Sequence, residues 1–540
     1  MNLAFVKRLF SGRRNRIIGG TALLVVVAVV VVGAVATHGD KTDAASSSHT
    51  ATSTPTPTPQ PCGEPATTDA ARFVGSPVIQ LPSPKLCVAT SAASVAYSIK
   101  NVDGTVVGQG SAPVKAGAAY LSFPAPGYYT VSATAGPTKL ATTIMVVDRV
   151  ASGQPALVSN LGVAAHPGSA RNGDIVRYQK DVGASMVRYD MLWSQVEKTK
   201  GHYVFPAAYT KLADDVHKSG GQLLPIIDYG NKLYDGGKVP SSSEGIAAFA
   251  AYAAAVVKKF HPAAIEVMNE FNNAPLNDSA CGLTPECYLP MLKATYQAVK
   301  AADPKVLVVG AVTAKEDDAW IGHLLELGGG QYLDVISTHP YNALLPPETY
   351  YDTAFPATEA MIRQKAGKDI PLWVTEGGWP SPGKRDQGDL LVRGITMAYA
   401  AGVQRYVWYD LIDDKIGPGV WPGEGQMGLF SVTSANQIVP KPSAYALLEF
   451  GRQLGGKPLV KKDDTAKPVY SYEFGTDAAP TRVIWATTST PITLTTDKPV
   501  TVTGDLGGRT VMAPQNGVVK LTATASPVYV SGAVSSVAVG

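Results

Sequence analysis

The 540-residue chain is poor in charge: only 16% of its residues are charged, and its formal net charge is +3. Several of the positive charges lie in the first sixteen residues, so the remainder is nearly neutral. Nucleic-acid-binding domains usually carry a clustered basic face, so we expect no nucleic-acid partner. The sequence also has no zinc-ligand spacing, no phosphate-binding Gly-Lys-Ser/Thr loop and no dinucleotide fingerprint. We therefore expect neither a metal nor a cofactor.

Cysteine is scarce, with four in the whole chain. Cys62 and Cys87 flank the start of the first folded region, whereas Cys281 and Cys287 are six residues apart in one loop. Four cysteines allow three connectivities, of which we favour the two local pairs, Cys62–Cys87 and Cys281–Cys287. Metal binding is the weaker alternative, because no histidine accompanies either pair at ligand spacing.

The N-terminus combines a basic segment, residues 1–16, with an uncharged apolar run over residues 17–36. Twenty helical residues span about 30 Å, the thickness of a bilayer core. The positive charges predict that the short N-terminal segment stays in the cytoplasm and that the rest of the chain is exported. A cleavable signal peptide is the alternative, because Ala34-Val35-Ala36 fits a cleavage site. The run exceeds a usual signal core, so we expect a retained transmembrane signal anchor.

Two regions of different character follow the apolar run. Residues 37–71 are rich in Ser, Thr and Pro, which predicts an extended linker. Residues 72–150 show short alternating runs, such as Val95, Tyr97 and Ile99, separated by turn signals. This spacing predicts a small antiparallel β-sandwich of immunoglobulin-like type. Its role as a spacer is favoured over that of a sugar-binding module.

The central region, residues 155–455, alternates short β-branched runs with amphipathic helical stretches. The predicted strands cover residues 161–164, 186–189, 223–227, 265–268, 306–310, 335–338, 372–375 and 406–408. Units of about 35 residues are typical of a (β/α)8 TIM barrel. After it, residues 456–540 return to period-two alternation and predict a C-terminal β-sandwich. The fold class is therefore α/β, with a barrel between two sandwiches.

Two predicted barrel strands end in a glutamate. The fourth ends in Asn269-Glu270 and the seventh in Glu376, 106 residues later, which equals three βα units. Polar residues at the carboxyl ends of barrel strands are catalytic candidates. Two carboxyl groups about 5–5.5 Å apart can cleave a glycosidic bond with retention of configuration, one as acid and one as nucleophile. Ordinary acidic residues at strand ends are the alternative interpretation.

With these motifs, the barrel resembles the clan A glycoside hydrolases, and family 39 and its relatives above all. The resemblance covers residues 161–455 and implies that Glu270 is the acid/base and Glu376 the nucleophile. In many relatives proline follows the Asn-Glu pair, whereas here Phe271 does. The resemblance further implies substrate-binding or supporting roles for Asn269, Arg188, His339, Tyr341 and Trp408.

Four more residues lie where distal sugar subsites form in such barrels: His166, Trp193, Asp228 and Asn231. Glu197 and Glu266 are interpreted as surface or structural acids. The resemblance implies hydrolysis of an extracellular or cell-envelope polysaccharide or glycoconjugate. Two alternatives stay open, an envelope transglycosylase that uses the same two glutamates and a catalytically silent carbohydrate-binding protein.

The first testable prediction concerns residues 17–36. If they form a retained anchor, protein from its native host stays in the membrane fraction after high-salt and carbonate washes, because a spanning helix is not held by charge. Immunoblotting of the washed fractions measures this. Recovery of a soluble form that begins near Thr37, established by N-terminal sequencing, would show that the segment is a cleaved signal instead.

Overall fold

The structure is a computed structural model, and it describes residues 71–82, 84–148, 157–166, 175–274, 276–342, 344–381, 386–414, 422–434 and 436–540. Within these ranges no helix is long and apolar enough to cross a membrane. The predicted anchor at residues 17–36 and most of the predicted linker lie outside them.

The N-terminal unit consists of eight strands: β1 (Arg72–Val74), β2 (Val78–Gln80), β3 (Lys85–Ala89), β4 (Ser94–Asn101), β5 (Val106–Pro113), β6 (Ala118–Ser122), β7 (Gly127–Ala135) and β8 (Thr138–Val147). One sheet has the order β1-β3-β6, and the other joins β2, β8, β7, β4 and β5. Both sheets contribute to one core, in which Val88 and Leu121 pack with Val131 and Val146.

The central unit is a closed barrel of eight parallel strands: β9 (Val158–Ala165), β10 (Ala184–Leu192), β13 (Gln222–Asp228), β14 (Ala264–Val267), β15 (Leu307–Ala314), β16 (Val335–His339), β17 (Leu372–Gly377) and β18 (Arg405–Trp408). A short hairpin, β11 (Glu197–Thr199) with β12 (His202–Tyr203), follows β10. Each predicted strand overlaps one of the eight, so the predicted barrel is confirmed.

Helices surround the barrel. They are α1 (Ile175–Asp181), α2 (Trp193–Val196), α3 (Ala207–Lys218), α4 (Ser243–Phe260), α5 (Pro285–Ala302), α6 (Asp318–Glu326), α7 (Tyr351–Ala366), α8 (Asp386–Ala400) and α9 (Pro442–Leu454). Short 3-10 helices cover Asp235–Gly237, Gly329–Tyr332, Pro347–Thr349 and Pro422–Gln426.

Alternation along each strand separates the inside of the barrel from its outside. Met186 of β10 and Ala264 of β14 pack together within the barrel, whereas Val187 and Ile265 belong to the core between the strands and the helices. Because side chains two residues apart point the same way, Arg188 and Glu266 follow Met186 and Ala264 on the inner face. Apolar layers therefore fill the barrel below, and charged residues lie above them.

The C-terminal unit follows a hairpin of β19 (Phe430–Val432) and β20 (Ile438–Pro440). Its strands are β21 (Leu459–Lys462), β22 (Val469–Phe474), β23 (Thr481–Ala486), β24 (Thr490–Thr495), β25 (Val500–Gly504), β26 (Gly507–Met512), β27 (Val518–Ala523), β28 (Val528–Ser531) and β29 (Ser536–Val539). Strands β27-β24-β29 form one sheet, and β26-β25-β28-β23-β22-β21 form the other. Ile484 and Leu494 pack in the core that these two sheets share.

Polar contacts join the three units. Thr143 of the N-terminal unit donates to the carbonyl of Pro440 at 2.6 Å, and Gly127 of β7 pairs with Gly507 of β26. On the other side, the indole of Trp485 donates to Glu348 at 2.7 Å, and Glu348 also pairs with Arg393 of α8 at 2.8 Å. The barrel region therefore makes hydrogen bonds with both the N-terminal and the C-terminal β-sandwich units.

The predicted Cys281–Cys287 disulfide is present, with a Cα–Cα distance of 5.8 Å. It connects the end of the loop after β14 to the first turn of α5. Cys87 is also disulfide-bonded. Its predicted partner, Cys62, lies outside the described residues, so that pairing stays a prediction.

The second testable prediction concerns this disulfide. We expect a Cys281→Ser/Cys287→Ser variant to keep its barrel but to melt a few degrees lower, because closing so short a loop is worth about 2 kcal/mol. Scanning fluorimetry measures the shift, and limited proteolysis is expected to cut faster within residues 272–284. Equal melting and equal proteolysis would contradict it. Two free thiols at these positions in peptide maps of the non-reduced wild type would do so as well.

Candidate active site

Arg188 of β10 occupies the centre of the barrel mouth and is 1% exposed. Its Nε donates to Glu266 Oε2 at 3.0 Å and its NH2 group donates to Glu266 Oε1 at 2.7 Å. The NH1 group donates to Glu376 Oε2 at 2.9 Å. Burial opposes the charge of Arg188, but the carboxylates of Glu266 and Glu376 outweigh it and raise the pKa of the guanidinium. Arg188 is thus in direct contact with Glu376, the candidate nucleophile.

Asn269, two residues after the end of β14, connects this group to the next loop. Its Oδ1 accepts from the NH2 group of Arg188 at 2.7 Å, and its Nδ2 donates to the hydroxyl of Tyr229 at 3.2 Å. The amide is therefore fixed in one orientation beside both Arg188 and Glu270.

Glu270 is 1% exposed and is held by two side chains. Its Oε1 lies 2.9 Å from Nδ1 of His339 at the end of β16. Its Oε2 accepts from Nδ2 of Asn273 at 2.6 Å. The other ring nitrogen of His339, Nε2, lies 3.1 Å from the Thr375 hydroxyl. His339 therefore links the carboxyl end of β14 to that of β17.

The backbone around Glu270 is unusual for residues other than glycine. Met268 and Glu270 have φ values of 65° and 44°, in a region that costs such residues about 1–3 kcal/mol each. The Nδ2 of Asn277 donates to the carbonyls of Asn269 and Glu270, at 3.0 and 2.7 Å. This side chain stabilises the tight turn that directs Glu270 into the barrel mouth.

The two candidate glutamates lie close together. Glu270, His339 and Glu376 each offer one ligand-type atom, and these atoms lie within 4.8 Å of one another. Such a triad has the donor types that a cation needs, but Arg188 already supplies a positive charge to Glu376 at 2.9 Å. One oxygen of each glutamate thus lies within 4.8 Å of the other, which a carboxyl spacing of about 5–5.5 Å, the spacing of retaining glycosidases, allows.

Glycines after Glu376 permit the close packing of β18. A Cβ on Gly377 would collide with the Tyr406 hydroxyl, and one on Gly378 would collide with the Tyr409 carbonyl. The Glu-Gly-Gly sequence therefore lets β17 and the chain at β18 approach each other beside Glu376, near the end of β17.

Tyr341 follows His339 and contributes its hydroxyl to the same region. That oxygen is buried and has no hydrogen-bond partner among the described residues. Burial, together with the charge of Glu376, raises the pKa of Tyr341 well above its usual value. Trp408 is fully buried instead: its indole donates to the carbonyl of Met427 at 3.2 Å, and its ring lies 6.1 Å from that of Trp379.

A second polar group lies at the ends of β9, β10 and β13. Nδ1 of His166 is 2.8 Å from Asp190 Oδ2, and Nε2 of His166 is 3.8 Å from Asp410 Oδ2. Asp228 is fully buried, and burial, then the nearby charge of Asp190, raises its pKa well above the ordinary value. His166, Asp410 and Asp414 form another set of atoms that could hold a metal ion.

Trp193 and Asn231, which were expected near distal subsites, belong to the frame of the barrel. The indole of Trp193 stacks on Tyr234 and donates to Glu197 Oε2 at 2.5 Å. The Nδ2 of Asn231 donates to the Glu197 carbonyl at 2.9 Å, and its Oδ1 accepts from the Leu233 amide at 3.0 Å. Because both ends of the Asn231 side chain bind backbone, this residue fixes the loop after β13.

Several residues of the site escaped the sequence analysis. Glu266 was interpreted as a surface or structural acid, and it is fully buried as the bidentate partner of Arg188. The signal was a glutamate within an apolar strand, on the strand face that also carries the catalytic candidate at the strand end. A glutamate buried at such a position requires a buried cation as its partner. Asn273 and Asn277 carried no comparable pattern, because they lie in an irregular loop.

No family model and no curated protein matches the sequence. Among solved structures, the chain is similar to a family 39 glycoside hydrolase from Bacteroides cellulosilyticus, with 22% identity and a TM-score of 0.74 over 85% of this chain and 99% of the other. It is similar to a family 30 xylanase from Clostridium acetobutylicum, with 17% identity, coverage of 71% and 98%, and a TM-score of 0.53. A family 39 β-xylosidase from Caulobacter crescentus has 16% identity, coverage of 70% and 97%, and a TM-score of 0.52.

At these identities the comparisons concern the fold. The structural neighbours are family 39 and family 30 glycoside hydrolases, so the resemblance of the barrel to clan A is confirmed at that level. What the side chains of this chain do has to be argued from its own geometry.

The third testable prediction concerns His339. Burial lowers its pKa to about 4, so its ring should stay neutral across pH 5–8. Its ring ¹⁵N shifts, assigned by comparison with His339→Asn, should therefore be constant over that range. The unfolded chain binds this proton near pH 6.5, so the stability that this group confers is present above that pH and is lost as the pH falls towards 4. A titration midpoint above about 6 would contradict this assignment.

Proposed function

We propose that the protein is a retaining glycoside hydrolase with Glu376 as nucleophile and Glu270 as acid/base. The observation that carries the proposal is the grouping of Glu270, His339 and Glu376 within 4.8 Å at the mouth of a closed barrel. Inverting enzymes need carboxyl groups about 6.5–9.5 Å apart to admit a water molecule. The closer pair supports a covalent intermediate.

In the first step, a Glu376 carboxylate oxygen attacks the anomeric carbon. The glycosidic C–O bond breaks, and the departing oxygen takes the proton of the Glu270 carboxyl group. Glu376 then carries the sugar as an ester, and Glu270 is ionised. Arg188 binds Glu376 Oε2 at 2.9 Å, which stabilises the carboxylate and leaves its other oxygen for the attack.

In the second step, the Glu270 carboxylate removes a proton from water. The resulting hydroxide equivalent attacks the anomeric carbon, the ester bond to Glu376 breaks, and both glutamates return to their first states. Two inversions at one carbon give net retention. Because Asn273 donates to Glu270 Oε2 at 2.6 Å, the ionised form of Glu270 has a fixed orientation during this step.

Neutral His339 suits both forms of Glu270. A neutral imidazole has one donor and one acceptor nitrogen, and Nδ1 lies 2.9 Å from Glu270 Oε1 while Nε2 lies 3.1 Å from the Thr375 hydroxyl. With its proton on Nδ1, the ring donates to Oε1 when Glu270 is ionised. The same bond persists when Glu270 carries its acid proton on Oε2, because Oε1 then still accepts.

The two alternative functions, a transglycosylase and a silent binding protein, place different requirements on this site. A transglycosylase would use the same residues with a sugar acceptor in place of water, and product analysis with excess acceptor separates it from a hydrolase. A silent binding protein would not need both carboxyl groups. The convergence of Asn273 and His339 on Glu270 and of Arg188 on Glu376 supports catalysis.

The substrate and location are further parts of the proposal. We infer an exported enzyme, anchored by residues 17–36, that acts on an extracellular or cell-envelope polysaccharide or glycoconjugate. Its support is the basic segment followed by an uncharged apolar run.

The fourth testable prediction separates the two glutamates, using an activated aryl glycoside that the wild type cleaves. Glu376→Gln should be inactive on it, since no nucleophile remains. Glu270→Gln should still release the aryl alcohol in a burst and then turn over slowly, because the leaving group needs no acid but water needs a base. Added azide should restore turnover and give a glycosyl azide of retained configuration. On the natural substrate, the activity of the Glu270→Gln variant should be lower than that of the wild type by at least about 10²-fold.

Glu244→Gln, which changes an exposed glutamate on α4, is the control and should match the wild type. Stopped-flow absorbance measures the burst, and NMR gives the configuration of the first product. Equal behaviour of the Glu270 and Glu376 variants, or an inverted wild-type product, would show that the roles are wrong.

A further inference from the structure

Beside the catalytic pair lies a second set of acidic groups that the proposed mechanism does not use. His166 follows β9, and Asp410 and Asp414 follow β18. One ligand-type atom of each lies within 4.8 Å of the other two. Asp190 of β10, two residues beyond Arg188 on the same strand face, is 2.8 Å from Nδ1 of His166. The set therefore lies at the barrel mouth, next to the strand that carries Arg188.

A buried oxygen atom in this region lacks a partner. Asp410 is 4% exposed, and its Oδ1 has no hydrogen-bond partner among the described residues. Buried carboxyl groups are normally paired or bound to an ion, since leaving one unpaired costs several kcal/mol. This atom indicates a ligand that brings positive charge.

The neighbouring cations are already engaged. Arg188 binds Glu266, Glu376 and Asn269. Lys441 binds Asp413 at 2.6 Å and the carbonyls of Ser381 and Gln426. Within the part of the chain that the structure describes, no lysine or arginine pairs with Asp410 or Asp414.

We propose that His166, Asp410 and Asp414 form a cation subsite beside the catalytic pair. The protonated amine of an amino sugar in the cleft and a free divalent metal ion offer the same chemistry, because each places positive charge among three acceptors. That an amino sugar would occupy the cleft rests on the proposed function. Burial and the charges of Asp414 and Asp413 raise the pKa of Asp410 well above its ordinary value, and a bound cation relieves that cost.

The test is direct binding to the full-length wild type, measured by calorimetry at pH 6.5. One arm titrates D-glucosamine and D-galactosamine against D-glucose and D-galactose, which differ from them by the amine. The other arm titrates Ca²⁺, Mn²⁺ and Zn²⁺ after chelation and dialysis. We expect binding in one arm at millimolar ligand or below. Equal binding of the neutral sugars assigns the site to hydroxyl groups and overturns the proposal, as does the lack of binding in both arms.

Asp410→Asn should weaken that binding at least about tenfold, because it removes one charge of a desolvated pair. Asp414→Asn, at a half-buried position, tests the same site if the first variant does not fold. Asp214→Asn, which removes an exposed acid on α3, is the charge-matched control and should bind as the wild type does. Unchanged binding in the Asp414 variant and any folded Asp410 variant overturns the proposal. Binding of free sugars and ions needs no turnover, so an inactive enzyme that binds cations contradicts only the proposed function.

Discussion

The guanidinium of Arg188, buried at the barrel mouth, is held by Glu266, Glu376 and Asn269 at 2.7–3.0 Å. A buried charge is tolerated only where its partners satisfy it, and removing one partner of a buried pair typically costs about 3–5 kcal/mol. The positions of these side chains are therefore mutually dependent. Glu266 anchors the guanidinium from below, which lets Arg188 hold Glu376 while Asn269 extends the network towards Glu270.

The two glutamates differ because their partners differ. Glu376 faces a permanent cation, whereas Glu270 faces a neutral imidazole and the amide of Asn273. A cation stabilises a carboxylate, as a nucleophile requires. A neutral imidazole can donate or accept, so it accommodates a carboxyl group that gains and loses a proton. Since burial holds the pKa of His339 at about 4, the division of roles depends on the depth of the site as well as on distances.

The barrel was predictable because buried parallel strands are continuous apolar runs, and Glu270 and Glu376 were predictable because they end two such runs. Glu266 carried a signal for a buried cation partner, but the identity of that partner was not predictable, since Arg188 lies on another strand. Asp190 and Asp410 were missed for the same reason. The grouping of Asp410 with His166 depends on closure of β18 against β9, and that of Asp190 depends on the pairing of β10 with β9. An aromatic residue near a strand end can face a cleft or a core, and the sequence does not separate the two; the ring of Trp193 is buried in the core.

Charge balance connects the catalytic pair to the second acidic group. Arg188 already directs four of its five N–H groups to Glu266, Glu376 and Asn269. None of these bonds reaches Asp410, whose carboxyl group is buried after β18. Drawing Arg188 towards it would release Glu376 and remove the charge that its carboxylate needs. The second acidic group must therefore stay protonated or bind a ligand that carries positive charge. In either case, its charge state depends on what occupies the cleft.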